Sequence, residues 1–290
     1  MKLNNIVLFM NGDRGMAVLN QFLNEARGIS AIVVPEHCTI FDEAEKYNSI
    51  TILKITDVNN LENVNKLASY GSDIFVVAGY PVILKQQVLN LPKFGVINLH
   101  GGPLPGYRGG SPLNWQIIND EKEIGVSLIF MNEGIDTGDI LGQRYFDLEE
   151  LDDIHTVHEK ANKCFVELLS NVLRELEDNT LKPISQNHSK AHYWVQRNNQ
   201  DSFVDWRSVS ARQAYNMIRA LKPPYPSAFT YANNQKLFLK EAFIPQEVIK
   251  GTPGRVVYVQ GQGPYVICKD YAVLITESSD KLPNGIHLNA

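Results

Sequence analysis

Three polar side chains near the middle of the chain stand where chemistry is possible. Asn98 and His100 are two apart in residues 95–100 (GVINLH), a spacing that puts both on one face of a strand. The rest of that strand is apolar and should be buried, where a polar group needs a partner or a task. Asp136 lies in residues 134–138 (GIDTG), whose two glycines permit close backbone approach. A histidine beside a carboxylate makes a base near neutral pH, because the carboxylate orients the ring and sets its pKa. Taken alone, an Asn-x-His strand is better read as two satisfied core polar groups.

Hydrophobic periodicity gives the elements that must carry these residues. Segments 5–10 (NIVLFM), 29–35 (ISAIVVP), 50–55 (ITILKI), 73–80 (DIFVVAGY) and 95–100 read as strands. Segments 15–25, 60–70 and 81–91 read as helices, the last with Pro81 near its first position. The continuously apolar run 73–80 predicts a strand buried on both faces. The alternation predicts an α/β fold, a mostly parallel Rossmann-like sheet with helices on both faces. Ligands of such sheets bind beyond the carboxyl ends of strands, where His100 falls. A helix at 111–119, strands at 125–131 and 140–146, and an amphipathic helix at 153–177 follow. Residues 178–191 are polar with one proline and read as a linker. Beyond a helix at 211–221, short strands at 229–232, 236–244, 254–259, 265–269 and 272–276 suggest a small OB-type antiparallel barrel. Two domains are expected, 1–186 and 193–290, with the linker at about 178–192.

Composition narrows the function classes. The 290 residues are 44% hydrophobic and 20% charged, ordinary for a globular protein, and at about 150 residues per domain they suggest two domains. Three cysteines at unrelated spacings exclude a disulfide framework and a four-cysteine zinc site. No apolar run approaches the roughly 18 residues of a membrane span. The start reads as a strand instead of a signal peptide, so a cytoplasmic location is expected. Residues 11–15 (NGDRG) lack the Gly-rich loop and Lys-Ser/Thr of an NTPase. His155/His158 and His188/His192 lack further ligands at metal spacing, so no metal is expected. The net charge of −5 conceals a balance of −10 over residues 1–186 and +5 over 187–290. Either the two parts differ by chance, or the basic part helps hold an anionic ligand.

Residues 95–143 resemble the folate-dependent formyltransferases, a family that includes methionyl-tRNA formyltransferase, glycinamide ribonucleotide formyltransferase and the sugar-nucleotide N-formyltransferases. The signature is an Asn-x-His strand end, a loop H-x-S/G-x-L-P-x-x-x-G and an Asp in a G-x-D-T/A-G turn. Asn98-Leu99-His100, residues 101–109 and residues 134–138 match it. The likeness runs from about residue 1 to at least 277. It implies that Asn98, His100 and Asp136 are the catalytic residues, with N10-formyltetrahydrofolate as co-substrate and no covalent enzyme intermediate. Formyl transfer to an amine passes through a tetrahedral carbon bearing an oxyanion, which the Asn98 carboxamide or a protonated His100 can stabilise. The amine must also lose a proton, which His100 with Asp136 can take. The resemblance puts folate against Gly79, Tyr80, Val82, Ile83, Leu84, Gly134, Ile135 and Asp139. The apolar three, 82–84, fit the buried face of the following helix equally well. Gly102 and Pro103 would wall the cleft, and Arg108 either meets an anion or pairs with a structural carboxylate.

The acceptor is read from two further stretches. The tRNA-directed members carry a basic insertion after the second strand. The matching residues 34–50 hold one lysine and four acids, Glu36, Asp42, Glu43 and Glu45, which would repel phosphates. The purine-pathway enzyme resembles only the first domain. Residues 111–115 (SPLNW) and 201–231 resemble bacterial sugar N-formyltransferases, including part of the bifunctional aminoarabinose enzyme. That implies a nucleoside-diphosphate-linked amino sugar, for example a 4-amino-4,6-dideoxy sugar of O-antigen or lipid A. Arg197, Arg219 and Lys222 are then candidates for the diphosphate, and Tyr193 and Tyr225 for the base or for interface packing. Arg219 and Lys222 also fit a helix C-terminus, where the dipole alone favours cations. No nucleic acid or membrane partner is expected; the resemblance makes a homodimer possible and leaves the oligomeric state open. The alternatives are methionyl-tRNA formyltransferase and a folate-binding or formylfolate-hydrolysing relative.

Overall fold

The computed structural model describes residues 2–39 and 50–288. Asp42, Glu43 and Glu45 of the acidic stretch lie outside the described residues. The chain divides into two compact units, one of Met1–Gly109, Gly125–Phe146 and His158–Trp194, the other of Gly110–Ile124, Asp147–Val157 and Val195–Ala290. Two inner segments, around 110–124 and 147–157, therefore go with the C-terminal residues.

The first unit is built on β1 (Ile6–Met10), β2 (Ile29–Pro35), β3 (Ile52–Ile55), β4 (Ile74–Ala78) and β5 (Val96–His100). A two-residue β6 (Arg108–Gly109) stands apart, and β7 (Glu123–Phe130) and β8 (Ile140–Asp147) complete the large sheet. Its order is β3-β2-β1-β4-β5-β7-β8. The first five strands pair in parallel, whereas β7 runs antiparallel to β5. The sheet is thus mostly parallel, as the alternation predicts. β1 and β4 are buried along their whole length, which explains their unbroken apolar runs. Helices α1 (Gly12–Asn24), α2 (Leu61–Ala68) and α3 (Gln86–Leu89) connect the strands, and α4 (Pro112–Ile118) precedes the long α5 (Ile154–Glu177).

The helix expected at 81–91 shrinks to the single turn of α3. Asn59 explains the loss. Its side chain donates to the Ile83 carbonyl (2.9 Å) and accepts from Lys85 N–H (2.8 Å), so residues 81–85 satisfy their backbone without a helix. The stretch expected as a linker is also more ordered than its polarity suggests. Ile184 exchanges backbone hydrogen bonds with Ile140, and β9 (Tyr193–Trp194) pairs in parallel with β6.

In the second unit α4 packs on α6 (Ala211–Ala220), which opens on a reciprocal Ser210–Gln213 capping box. The small sheet holds β10 (Ala228–Ala232), β11 (Gln235–Phe243), β12 (Val256–Val259), β13 (Gln262–Ile267) and β14 (Ala272–Ser278), in the order β10-β11-β14-β13-β12. The β10–β11, β11–β14, β14–β13 and β13–β12 pairings are all antiparallel. Leu288 bridges to Ala232 at one edge and His287 to Arg255 beside the other, so the last described residues join the two edges in a barrel-like way. Trp206 is fully buried, and its indole N–H donates to the buried Thr230 hydroxyl (2.9 Å).

Candidate active site

The site is built at the carboxyl end of β5. Asn98 is half-buried, and its side chain makes no hydrogen bond to another described residue. His100 is buried, 6% exposed. Its Nε2 lies 2.5 Å from the Tyr107 carbonyl oxygen and its Nδ1 lies 3.5 Å from Asp136 Oδ1. Only an N–H can approach a carbonyl so closely, so the neutral ring carries its proton on Nε2. Nδ1 is then the acceptor, and a proton taken up there meets the Asp136 carboxylate.

Burial holds the His100 pKa below its ordinary value. Asp136 and the Tyr107 carbonyl oppose that shift, and Arg14 adds to it. Arg14 donates to the Leu99 carbonyl (3.2 Å) and lies over the Phe165 ring. The imidazole is therefore neutral at pH 7, the state a base requires.

Loop 101–110 lies directly on the imidazole. A Cβ at Gly102 would fall 2.6 Å from Tyr107 Cβ and 3.1 Å from His100 Nε2, so only glycine fits. Ser127, opposite His100 on β7, donates to the Gly102 carbonyl (2.7 Å) and accepts from Leu104 N–H (3.1 Å). Gln143 donates to both Ser127 Oγ and the Leu104 carbonyl. The Tyr107 ring stacks on Trp194 (centroids 5.2 Å apart, planes 10° off parallel), whose indole N–H donates to the Gly106 carbonyl. Pro103 is half-buried and packs over Gly125.

Asp136 has a left-handed backbone, φ 51°. Its Oδ2 accepts from Gly109 N–H (2.8 Å). Asn132 fastens the turn by accepting from Gly134 N–H and the Thr137 hydroxyl. Tyr107, Ser127, Asn132, Gln143, Gln186 and Trp194 were not singled out from sequence. Ser127 carries a usable signal, a polar residue inside the apolar run 124–130; the others are named only by their contacts.

The expected folate residues separate by burial. Tyr80 and Leu84 belong to the core, and burial, with Asp57 adding to it, pushes the Tyr80 hydroxyl up to about 12. Their side chains pack inward, which leaves the backbone of this loop as the surface they offer. Val82 packs half-buried against the same core. Ile83 and Ile135 are exposed, at 73% and 59%. Gly79, in a left-handed conformation, and Gly134 are exposed too, whereas Asp139 accepts from the Ser185 hydroxyl.

The expected anion-binding cations all have partners within the protein. Arg108 is 1% exposed and bound to neutral partners, Gln186, Tyr193 Oη and His188 Nδ1, and among the described residues it pairs with no carboxylate. Arg219 is buried in the second unit, donating to the carbonyls of Glu149, Glu150 and Asp152 and stacking on Tyr215. Lys222 is held between Asp153 (3.1 Å) and Glu241 (3.0 Å). Arg197 stacks over Trp115 and donates to the Asp201 carbonyl. Tyr193 is exposed and Tyr225 half-buried. Among the described residues no cluster of three or more His, Cys, Asp or Glu is placed to hold a metal ion, and no helix is long and apolar enough to cross a membrane.

A strand-borne Asn and His facing a turn-borne Asp, at the end of a mostly parallel sheet, is the frame of a one-carbon transferase. The family model for formyl transferase matches residues 12–173, and that for the formyl transferase C-terminal domain matches 197–283. The chain belongs to the formyltransferase family. Methionyl-tRNA formyltransferase of Caldanaerobacter subterraneus is 36% identical over 219 residues, 76% of this chain and 70% of that protein. The bifunctional polymyxin resistance protein ArnA of Wigglesworthia glossinidia is 36% identical over 210 residues, 72% of this chain and 32% of that longer protein. The N-formyltransferase from Helicobacter canadensis, solved with folinic acid and dTDP-3-aminofucose, shares the fold at TM-score 0.70 and 18% identity, over 95% of this chain and 99% of that one.

Proposed function

We propose that this chain transfers the formyl group of N10-formyltetrahydrofolate to the amine of a nucleoside-diphosphate-linked amino sugar, with a 4-amino-4,6-dideoxy sugar as the leading acceptor. The observation that carries the chemistry is the neutral, buried His100 held between the Tyr107 carbonyl and Asp136, two residues from Asn98. When bound, the folate supplies the electrophilic formyl carbon. Exposed Ile83 and Ile135 suit the flat apolar face of a pterin. Asn98, with no other described side-chain partner, donates its carboxamide N–H to the formyl oxygen as charge develops there, an interaction worth about 10²–10³ in rate. His100 accepts the amine proton at Nδ1, where the Asp136 carboxylate faces the resulting imidazolium. As the tetrahedral carbon collapses, its bond to N10 breaks, N10 takes that proton from His100, and tetrahydrofolate leaves.

Two observations support a sugar nucleotide. Residues 34–50 carry four acids and one lysine, unsuited to a polynucleotide backbone. The Helicobacter neighbour was solved with dTDP-3-aminofucose. With Arg108, Arg219 and Lys222 engaged internally, Arg197 on Trp115 and the two tyrosines are the remaining nucleotide candidates. The second reading, methionyl-tRNA formyltransferase, is favoured by the 36% identity to such an enzyme.

The test is turnover of formyltetrahydrofolate with TDP-, UDP- and GDP-linked 4-amino and 3-amino sugars, each product weighed by mass spectrometry. Charged initiator tRNA runs in parallel. Formylated tRNA with no sugar product overturns the sugar assignment. Folate turnover that no acceptor accelerates points instead to hydrolysis.

A further inference from the structure

We propose that Gln186, locked in place by Arg108, is a positioning residue that holds the Asp136 turn against His100; this rests on the catalytic assignment of Asp136 and His100 above. The need arises from the path of the chain. β7 ends beside the start of β5, where Met131 N–H donates to the Val96 carbonyl (2.8 Å). To reach His100, the turn must come back along β5, roughly 13 Å at about 3.3 Å per residue. It does so with Asp136 at positive φ and with Gly138 so close to Phe130 that no Cβ fits. Such a turn holds its shape only if its surroundings over-determine it.

Gln186 supplies that constraint. Its Nε2 donates to the carbonyls of both Asp136 (2.8 Å) and Gly138 (2.6 Å). Its Oε1 accepts from Arg108 Nε (3.1 Å) and Nη2 (2.7 Å). One carboxamide thus spends both donors and both lone pairs, at 6% exposure. The guanidinium also decides which way round the amide sits: its donors demand the oxygen, so the NH₂ must face the turn. Arg108 finds three neutral acceptors, which leaves the Asp136 carboxylate to His100 and to Gly109 N–H. Consecutive residues therefore grip the turn twice, Gly109 by the carboxylate and Arg108 by its backbone through Gln186.

The test separates positioning from mere folding. Gln186→Glu keeps the shape and the Arg108 contact but offers no donor to the two carbonyls; Gln186→Met removes all four bonds. In the full chain labelled with ¹⁵N-histidine, the His100 Nδ1 shift at pH 7.5, assigned with His100→Asn, reports on the Asp136 carboxylate facing it. We expect that shift to move by more than 1 ppm in both variants. We also expect kcat to fall at least tenfold, with KM for the formyl donor within twofold. The exposed Ile184→Thr in the same stretch should change neither. Should both variants at 186 fail to fold, Arg108→Lys, which loses the fork that orients the amide, gives the same readout. A wild-type Nδ1 shift in a folded variant overturns the proposal. That readout needs no substrate, so it stands apart from whether the sugar acceptor is correct.

Discussion

Acidification should cost this protein stability through His100 in particular. Two effects compete on its ring. Protonation at Nδ1 gains an ion pair with Asp136 at 3.5 Å, about 5 kcal/mol at an effective dielectric near 20. It also buries a charge on a side chain only 6% exposed. Burial is the largest cause, and the folded pKa lies below the ordinary 6.5. The sign follows. Below pH 6.5 the unfolded chain binds a proton that the folded chain refuses, so folding stability rises with pH across this window and falls on acidification. The ceiling is set by the unfolded value alone: about 1.4 kcal/mol at pH 5.5 and under about 0.1 at pH 7.5. Glu25 and Asp153, both shifted down from 4.5 and 3.8, lose their contributions only at lower pH and do not enter the window. The assay is urea unfolding of wild type and His100→Asn at pH 7.5, 6.5 and 5.5. Wild type should lose up to about 1.4 kcal/mol more than the variant over that range. A wild type that gains on the variant as pH falls would show that the Asp136 pair outweighs burial, and equal slopes that it cancels it. The neutral-base reading of His100 would then fail.

Other outcomes follow from the same contacts. Asn98→Ala should lower kcat by about 10²–10³ while leaving KM for both substrates within a few-fold, as loss of an oxyanion donor does; steady-state kinetics decides it. Gly102→Ala should destabilise by about 1–3 kcal/mol, because its Cβ meets backbone and ring within 3.1 Å; urea unfolding gives the value, with a fall in kcat expected alongside. The Lys222 pKa is raised, since Glu241 and Asp153 outweigh its burial. Lys222→Met should cost only about 0.5–1 kcal/mol in thermal unfolding and leave the acceptor KM within twofold, and a tenfold rise in KM would restore it as a ligand contact. Ile83→Ser should raise KM for the formyl donor several-fold without changing stability, since its side chain is exposed.

The parts of the molecule legible in sequence are those fixed by short-range pattern. β1, β4 and β5 announce themselves because strands buried on both faces tolerate little but apolar residues. Asn98 and His100 break that pattern at the strand end, and so were visible. The helix expected at 81–91 failed because one distant side chain, Asn59, satisfies its backbone. Arg108, Arg219 and Lys222 looked like ligand cations because a charge beside glycines or at a helix end gives no sign of an internal partner. Each has a partner far along the chain, Gln186, Asp152 and Asp153 at 78, 67 and 69 residues respectively, which no local pattern reveals.

Sequence by itself determined the fold class and the identity of the chemical groups, because residue type and spacing decide which strands are buried and which polar groups interrupt them; the family came from the resemblance of residues 95–143. Tertiary structure decided how those groups act. The His100 proton sits on Nε2 because of Tyr107, its pKa falls because the folded chain buries the ring, and Asp136 faces it because Gly109 and Gln186 hold that turn. A pKa and a tautomer are set by desolvation and by partners within a few ångströms, and the chain brings those together only when it closes on itself.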